Sequence, residues 1–403
     1  MKRLNGLAVA AAAVLAAACE QTPSQPPQRI SAGTFGSFDA ISGSAQCAAP
    51  PATVAGFDTY EPFVVPAGYS QRIVATQLAD FAPVAGSGGD IPDMITLNET
   101  GPFAGRFLYQ THEVGSNGAV TVTDLRDGGT RLVTQSPDYG RLDGIAWTPW
   151  GTVIFAEERT GGLVYEVDPA SGVVNTRRAV GLRSHEGLRF DAQGNLYGIS
   201  ERANGAVFKF VPDRRGDLSS GQLYALKVAD ASRTGAAVWV ALDRTQSQIN
   251  SDLAAATAGA SGWNRPEDVE IGTSSSNNQG GNNVLYVAVT SENLVLKIDL
   301  SGDDAFVTNY VHDVPGFNFP DNLALDAQGN LFIAEDGDPP PGNDIWVARA
   351  GQGGAIERFA SLADCAAEPT GIYFDNGSHV LYVHVQHAGG PLSNDLLMAI
   401  APR

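Results

Sequence analysis

The sequence predicts an all-β fold, a six-bladed β-propeller with one insertion, and three observations predict it. A strand–turn–strand pattern recurs six times, its openings separated by 50, 43, 81, 54 and 49 residues. Such a period has room for a four-stranded blade. Glycine (46) and proline (23) punctuate the chain, and hydrophobic residues make up 43% of it against 17% charged. That composition suits a turn-rich β protein and excludes a coiled coil or a charge-rich disordered chain. Each repeat also opens on a polar residue followed by apolar alternation, the mark of a strand rather than a helix.

The elements follow in chain order. Lys2 and Arg3 precede an apolar run over 4–18 that is too short to cross a bilayer, so residues 1–18 read as an export signal. The run ends Leu15-Ala16-Ala17-Ala18-Cys19, which resembles a bacterial lipobox with Ala16 in place of the usual larger residue. Cys19 is the expected lipidation site; ordinary cleavage at Ala-x-Ala is the alternative. Residues 19–50 read as the anchor Cys and a flexible tether, rich in Pro, Gln and Ser over 20–31, and 51–403 as the propeller.

The six openings are Asp93-Met-Ile-Thr-Leu, Asp143-Gly-Ile-Ala-Trp, Glu186-Gly-Leu-Arg-Phe, Glu267-Asp-Val-Glu-Ile, Asp321-Asn-Leu-Ala-Leu and Thr370-Gly-Ile-Tyr-Phe. Gly- and Asn-containing turns such as Ala192-Gln-Gly-Asn lead into second runs at 107–110, 153–156, 196–199, 285–289, 331–334 and 381–385. Third strands are expected at 163–167, 206–211, 294–299 and 344–348. The spacing of 81 implies an insertion over 213–262, with strand-like 222–228 and 238–242 and a helix at 244–258.

Hairpin geometry brings the start of each first strand and the end of each second strand to the same channel mouth. Five of the six starts are acids: Asp93, Asp143, Glu186, Glu267 and Asp321, with Thr370 the exception. The second-strand ends are Glu113, Glu157-Glu158, Glu201, Glu292 and Glu335-Asp336, with His387 in the sixth repeat. Converging carboxylates repel one another unless a cation neutralises them, and hard oxygen ligands favour Ca²⁺. Several Ca²⁺ or other hard cations are therefore expected, although a single acid at a turn usually only caps it.

The balance of 25 Lys+Arg against 44 Asp+Glu gives a net charge of -19 and argues against nucleic acid or an anionic membrane as partner. No Gly-x-Ser-x-Gly elbow, His-Glu-x-x-His or phosphate-binding glycine loop is present. Arg265 stands two residues before Glu267; it can form a salt bridge or clamp an anionic oxygen that metals bind from the other side. His185, beside Glu186, reads as a ligand or base or as a hydrogen-bonded structural histidine. Beyond Cys19, Cys47 and Cys365 fit one disulfide in an oxidising compartment, two buried free thiols being the alternative.

Several stretches together resemble the PhoX-type alkaline phosphatases, exported bacterial enzymes with a six-bladed propeller. They are Thr148-Pro-Trp-Gly-Thr with Glu157-Glu158, Ser184-His-Glu-Gly, Gly221-Gln-Leu-Tyr-Ala-Leu-Lys, Arg265-Pro-Glu-Asp, Phe319-Pro-Asp-Asn-Leu-Ala and Val385-Gln-His-Ala-Gly. The resemblance implies hydrolysis of phosphate monoesters at a channel mouth holding Ca²⁺ and iron. By position it makes Glu158, Glu186 and Glu267 metal-binding and Arg265 a substrate-phosphate residue. One departure stands out: the family carries Cys-Ala-Gly-Gly before its Thr-Pro-Trp-Gly, the Cys ligating iron, and here that place reads Asp143-Gly-Ile-Ala-Trp. A hard carboxylate for a soft thiolate argues against iron.

The expected protein is thus an exported, lipid-anchored hydrolase of phosphate monoesters, periplasmic or at the cell surface. It is expected to be a monomer that takes a small anionic substrate. Arg265 and Glu267 are the expected catalytic residues. Glu113, Asp143, Glu158, Glu186, Glu267 and Asp321 are the expected metal ligands, with His185, Glu201, Asp336 and His387 as further candidates. A lactonase- or esterase-like propeller and a non-catalytic Ca²⁺-binding propeller are the alternatives.

Overall fold

The structure, a computed structural model, describes residues 38–272, 283–302, 304–337 and 343–403. The expected export signal and Cys19 lie outside the described residues. The fold is an all-β propeller. Blade 1 runs from the channel outward as Pro92–Leu97, Phe107–His112, Ala119–Asp124 and Thr130–Gln135. Blade 2 is Leu142–Trp147, Val153–Glu157, Val164–Val167 and Val174–Thr176. Blade 3 is Leu188–Phe190, Leu196–Ile199, Val207–Arg214 and Asp217–Val228; blade 4 is Pro266–Gly272, Val284–Val289, Leu294–Asp299 and Ala305–Val311. Blade 5 is Pro320–Leu325, Leu331–Glu335, Asp344–Ala348 and Ile356–Leu362. Blade 6 is Glu368–Asp375, Val380–Gln386 and Leu396–Pro402, completed by Tyr69–Thr76 from the other end of the chain.

Burial explains why these sequences read as they do. The inner strands of blades 1 and 2 are buried along their whole length, because a neighbouring blade covers each face. Such strands carry near-continuous apolar runs rather than strict alternation. The outermost Thr130–Gln135 and Val174–Thr176 are largely open to solvent and correspondingly polar. Between consecutive blades lies a separate apolar core. Examples are Met94, Tyr109, Ile145 and Phe155 between blades 1 and 2, Ile154, Leu188, Phe208 and Phe210 between 2 and 3, and Ile95, Leu108, Tyr382 and Leu397 between 6 and 1. Each fully buried side chain of this kind stabilises the fold by roughly 1.5–3 kcal/mol. The last of these cores, with the Tyr69–Thr76 to Leu396–Pro402 ladder, closes the ring.

Side chains also stitch the inner strands together. Asp268 accepts from the Leu323 N–H of the next blade, and Asn322 accepts from Gly371 N and from Thr370 Oγ1 at 2.8 Å. Space is short here: a Cβ on Gly144 would lie 1.9 Å from the Glu186 carbonyl oxygen, and one on Gly371 2.0 Å from that of Asp93. That close approach accounts for the glycine after three of the ring residues.

Three expectations need correction. The insertion is shorter than 213–262, because Asp217–Val228 is the regular outer strand of blade 3. The inserted Gly235–Ala241 pairs with it and also with Ala305–Val311, joining blades 3 and 4 edge to edge in one nine-stranded sheet. The helix expected over 244–258 is two, Arg244–Ser247 and Ser251–Ala258. Asn250 adopts an extended backbone and caps the second through Leu253 N. Finally, residues 38–50 are not a free tether. Phe38 packs edge-on against Phe359 and Tyr69, Ser44 Oγ donates to Asp344 at 2.8 Å, and Cys47 is bridged to Cys365. Past the Pro/Gln/Ser stretch the chain has aromatic and small side chains that can dock. Phe63–Val64 then adds a fifth strand to blade 5.

Candidate metal centre

The same local device recurs where four inner strands begin. Two residues before the ring acid the backbone turns left-handed, at Ile91, Arg141, Arg265 and Phe319 with φ of 50°, 50°, 54° and 47°. At the acid itself the ladder slips: between Pro92 and Ile95, Leu142 and Ile145, Pro266 and Val269, and Pro320 and Leu323. A bulge re-aims the side chain it carries. Here it carries Asp93, Asp143, Glu267 and Asp321. Left-handed backbone costs a non-glycine residue on the order of 1 kcal/mol or more, and such strain gathers at functional sites. Four instances at one mouth are a repeated investment in aiming carboxylates.

The result is two triads, buried except at the partly exposed Glu113. Asp93, Glu113 and Asp143 each offer a carboxylate oxygen, all within 4.8 Å of one another, and so do Glu186, Glu267 and Asp321. Buried like charges resist ionisation. Burial, then the Asp93 and Glu158 charges, holds Asp143 well above the usual carboxylate range. Glu186 is raised likewise by burial and by Asp143 and Glu267, and Asp321 by burial and by Glu267 and Asp336. Burial pushes Glu113 up to about 7, with Asp93 adding to it. Burial also pushes Glu267 to about 7 despite Arg265 and Thr290, and Asp93 to about 6 despite hydrogen bonds from Thr370 and Gln386. Asp143 Oδ1 is buried without a hydrogen-bond partner. An acid that merely caps a turn would have one.

Around the triads runs an arc of pairs. Arg141 Nη2 lies 2.6 Å from Glu113 Oε1, and its Nε donates to Glu158 Oε2 at 3.0 Å. Glu158 and Glu201 share a hydrogen bond, and burial together with that contact pushes Glu201 up to about 8. Arg265 Nε donates to Glu201 Oε1 at 3.0 Å and its Nη2 pairs with Glu267. Burial would lower the Arg265 pKa, but the charges of Glu267 and Glu201 outweigh it and raise it. Blade 6 has Thr370 at the ring position, its hydroxyl donating to Asp93 Oδ1 at 2.6 Å, and supplies its acid two residues earlier. That acid, Glu368, is pushed up to about 11 by burial and by the Asp336 side chain it hydrogen-bonds. His387 Nε2 stands 3.5 Å from Glu368 Oε1.

Thus Glu113, Asp143, Glu158, Glu186, Glu201, Arg265, Glu267 and Asp321 converge, with Asp336 and His387 beside Glu368. His185 does not join them: it is fully buried, its Nε2 3.1 Å from the Gly181 carbonyl. Adjacent residues of an extended chain face opposite ways, so Glu186 and His185 part. Glu292 is drawn off by Arg233 at 2.6 Å and by Asn264 N. Glu157 and Glu335, the last residues of their strands, bond backbone N–H groups at Gly140 and Leu163, and at Asn318 and Asp344. Arg141 and Glu368 escaped the sequence reading. Aligning the openings would have found both, since each sits two residues before a ring position, as Arg265 does.

The donor set of the two triads is all oxygen. Cys47 and Cys365 are joined to each other, so no thiolate reaches the site among the described residues. Asp93, Glu113 and Asp143 on one side, and Glu186, Glu267 and Asp321 on the other, fit hard cations such as Ca²⁺. The orphaned Asp143 Oδ1 is the atom such an ion would satisfy. A cavity of about 1540 Å³ opens at the opposite mouth, lined in part by Trp147, Arg189, Glu270 and Tyr373. No ring acid lines it, so size and chemistry point to different ends of the channel. We place the site at the acidic mouth, where unsatisfied charge concentrates.

Comparison with known proteins agrees with this fold. The sequence matches the family described as alkaline phosphatase PhoX over residues 116–305 and 293–389. No curated protein matches it. Among solved structures it is similar to PhoX of Pseudomonas fluorescens, determined in complex with vanadate, a transition-state analogue. Identity is 17%, coverage 92% of this chain and 98% of that one, and the TM-score 0.71. A gluconolactonase from Xanthomonas campestris is similar at 14% identity, with 91% and 97% coverage and a TM-score of 0.53. At these identities both likenesses speak to the fold.

Proposed function

The chain belongs to the PhoX family of alkaline phosphatases, and from that premise we propose that it hydrolyses phosphate monoesters at the acidic mouth with Ca²⁺ held by the two triads. The observation that carries this reading is the pair of largely buried triads with the unpartnered Asp143 Oδ1, flanked by Arg265. Six clustered carboxylates are unstable without cations, and an anionic substrate would not enter such a mouth unless its charge were reversed.

Asp93, Glu113 and Asp143 would hold one part of the metal set, and Glu186, Glu267 and Asp321 the other. Bound cations would supply positive charge against the phosphoryl oxygens. The chain's own groups bind and orient. Arg265, half exposed, presents a guanidinium to a phosphoryl oxygen, and the ion pairs to Glu267 and Glu201 fix its fork. Charge that builds on the phosphoryl oxygens as water attacks and the ester oxygen leaves is met by that fixed fork. Asp143 in the place of the family's Cys favours Ca²⁺ without iron.

Export and lipidation at Cys19, to the periplasm or the cell surface, are part of the same reading. The Cys47–Cys365 bridge supports it, because disulfides persist in oxidising compartments. The test is a substrate panel on the full chain with added Ca²⁺: p-nitrophenyl phosphate, a phosphodiester and a lactone. Turnover of the monoester is expected. Turnover of the lactone alone, or of none of the three, would sink the proposal.

A further inference from the structure

Arg141 and Arg265 are counterparts. Each precedes a ring acid by two residues, each has left-handed backbone, and each is about half exposed, with side-chain exposures of 49% and 43%. Each commits Nε to a second-strand acid, Arg141 to Glu158 and Arg265 to Glu201. Each pairs Nη2 with a triad acid, Arg141 with Glu113 and Arg265 with Glu267. Among the described residues, neither Nη1 has a hydrogen-bond partner. Glu158 and Glu201 are neighbours, so the two forks belong to one chain of charged groups, Glu113–Arg141–Glu158 and Glu201–Arg265–Glu267. A structural arginine buried in the core looks different. Arg183 is fully buried, with Nε on the Ile199 carbonyl and Nη1 on the Val180 carbonyl.

We propose that Arg141 is a second phosphate-binding residue, acting across from Arg265, and that the two forks select a phosphoryl dianion over a diester. The inference rests on the phosphatase reading. Two guanidiniums with free N–H groups match the two charges of a monoester. A diester carries one charge, and its second substituent would occupy the oxygen that the second fork needs.

The full chain in its metal-loaded form tests this through Arg141→Ala and Arg141→Lys. We expect Arg141→Ala to lower kcat/KM for p-nitrophenyl phosphate by about 10²-fold, and that for bis(p-nitrophenyl) phosphate by less than about tenfold. Inhibition by inorganic phosphate should weaken by at least about tenfold. Arg141→Lys keeps the positive charge beside Glu113 and Glu158 but loses the fork. It should retain wild-type metal content and melting temperature and remain defective on the monoester. Full rescue by Lys, or equal losses on both substrates, would make Arg141 a counterion for the acids and overturn the inference. If the wild type hydrolyses no monoester, the phosphatase reading falls by itself. Calorimetry with inorganic phosphate then decides Arg141 separately, and equal affinity for wild type and Arg141→Ala would overturn its role.

Discussion

The two mouths of the channel are both rich in carboxylates, and they differ in what those carboxylates touch. At the far mouth the acids end strands. Asp191 accepts from Gln193 N, Asn195 N and Asn195 Nδ2, and Asp326 repeats the pattern with Gln328 N, Asn330 N and Asn330 Nδ2. Asp375 accepts from Gly377 N and Ser378 Oγ. The charged pair there is also held, Arg189 Nε donating to Glu270 at 3.0 Å, although Arg189 Nη2 is buried without a partner. At the near mouth Asp143 and Glu186 face mainly other carboxylates and Asp143 Oδ1 has no donor, while Asp321 takes a bond from Asn322 Nδ2 at 3.2 Å. An acidic residue at a turn is ordinary; a buried carboxylate oxygen with no donor, as at Asp143, is an atom that a cation would satisfy. The difference lies in hydrogen bonding and not in the number of acids.

The sharpest break between the mouths is in activity. Asp321→Asn or Glu186→Gln should lower monoester turnover on the order of 10²–10³-fold or more, whereas Asp326→Asn should leave kcat/KM unchanged. Equal losses at both mouths would erase the distinction.

Chelation probes the same contrast through stability. A cation bound only by the folded ring stabilises it by about 4 kcal/mol at a concentration a thousand times its Kd. Excess chelator should lower the melting temperature of the wild type and leave that of Asp321→Asn much less affected. A wild-type melting temperature that ignores chelator counts against the site.

Metal-free protein should also carry an unusual pH signature. Folding holds Asp93 at about 6, Glu113 and Glu267 at about 7 and Glu201 at about 8, above ordinary carboxylates. The folded state then binds more protons than the unfolded one, so stability is lost as pH rises from about 4 to about 8. Calorimetry in chelator should give a lower melting temperature at pH 8 than at pH 5, and added Ca²⁺ should reverse the trend. A metal-free melting temperature that rises over that interval contradicts the carboxylate cluster.

The smallest effects belong to parts remote from the acids. Replacing Cys47 and Cys365 should cost about 2–4 kcal/mol of stability with little change in specific activity. Asp326→Ala should cost about 1–3 kcal/mol by leaving turn donors unmet. Loss of activity in folded Cys47→Ser protein would tie the N-terminal segment to the site.

Much of this architecture was legible because the repeat is. The ring position recurs in six openings, and hairpin connectivity sends first-strand starts and second-strand ends to one mouth. What stayed hidden was local. Asp217–Val228 looked inserted because its repeat runs straight on into Gly235–Ala241, a strand shared by two blades. Glu292 looked like its counterparts in the other repeats, but the short helical turn Thr290–Glu292 carries it to Arg233. Glu368 was masked by Thr370, which takes the ring position and donates to a neighbour's acid. Arg141 lies two residues upstream of its repeat opening, outside the pattern that the six openings share. Its likeness to Arg265 shows in that shared offset, and positive φ and the pattern of partners complete it.

The metal content of the purified protein tests the acidic mouth most directly. Elemental analysis of the full chain, purified without chelator, should find tightly bound Ca²⁺, at least one ion for each triad, and little or no iron. Asp143→Asn and Asp321→Asn should each lower that content, while Asp326→Asn should not. Protein that is folded and free of metal, or that carries stoichiometric iron with no Ca²⁺, would contradict a Ca²⁺ site at the acidic mouth.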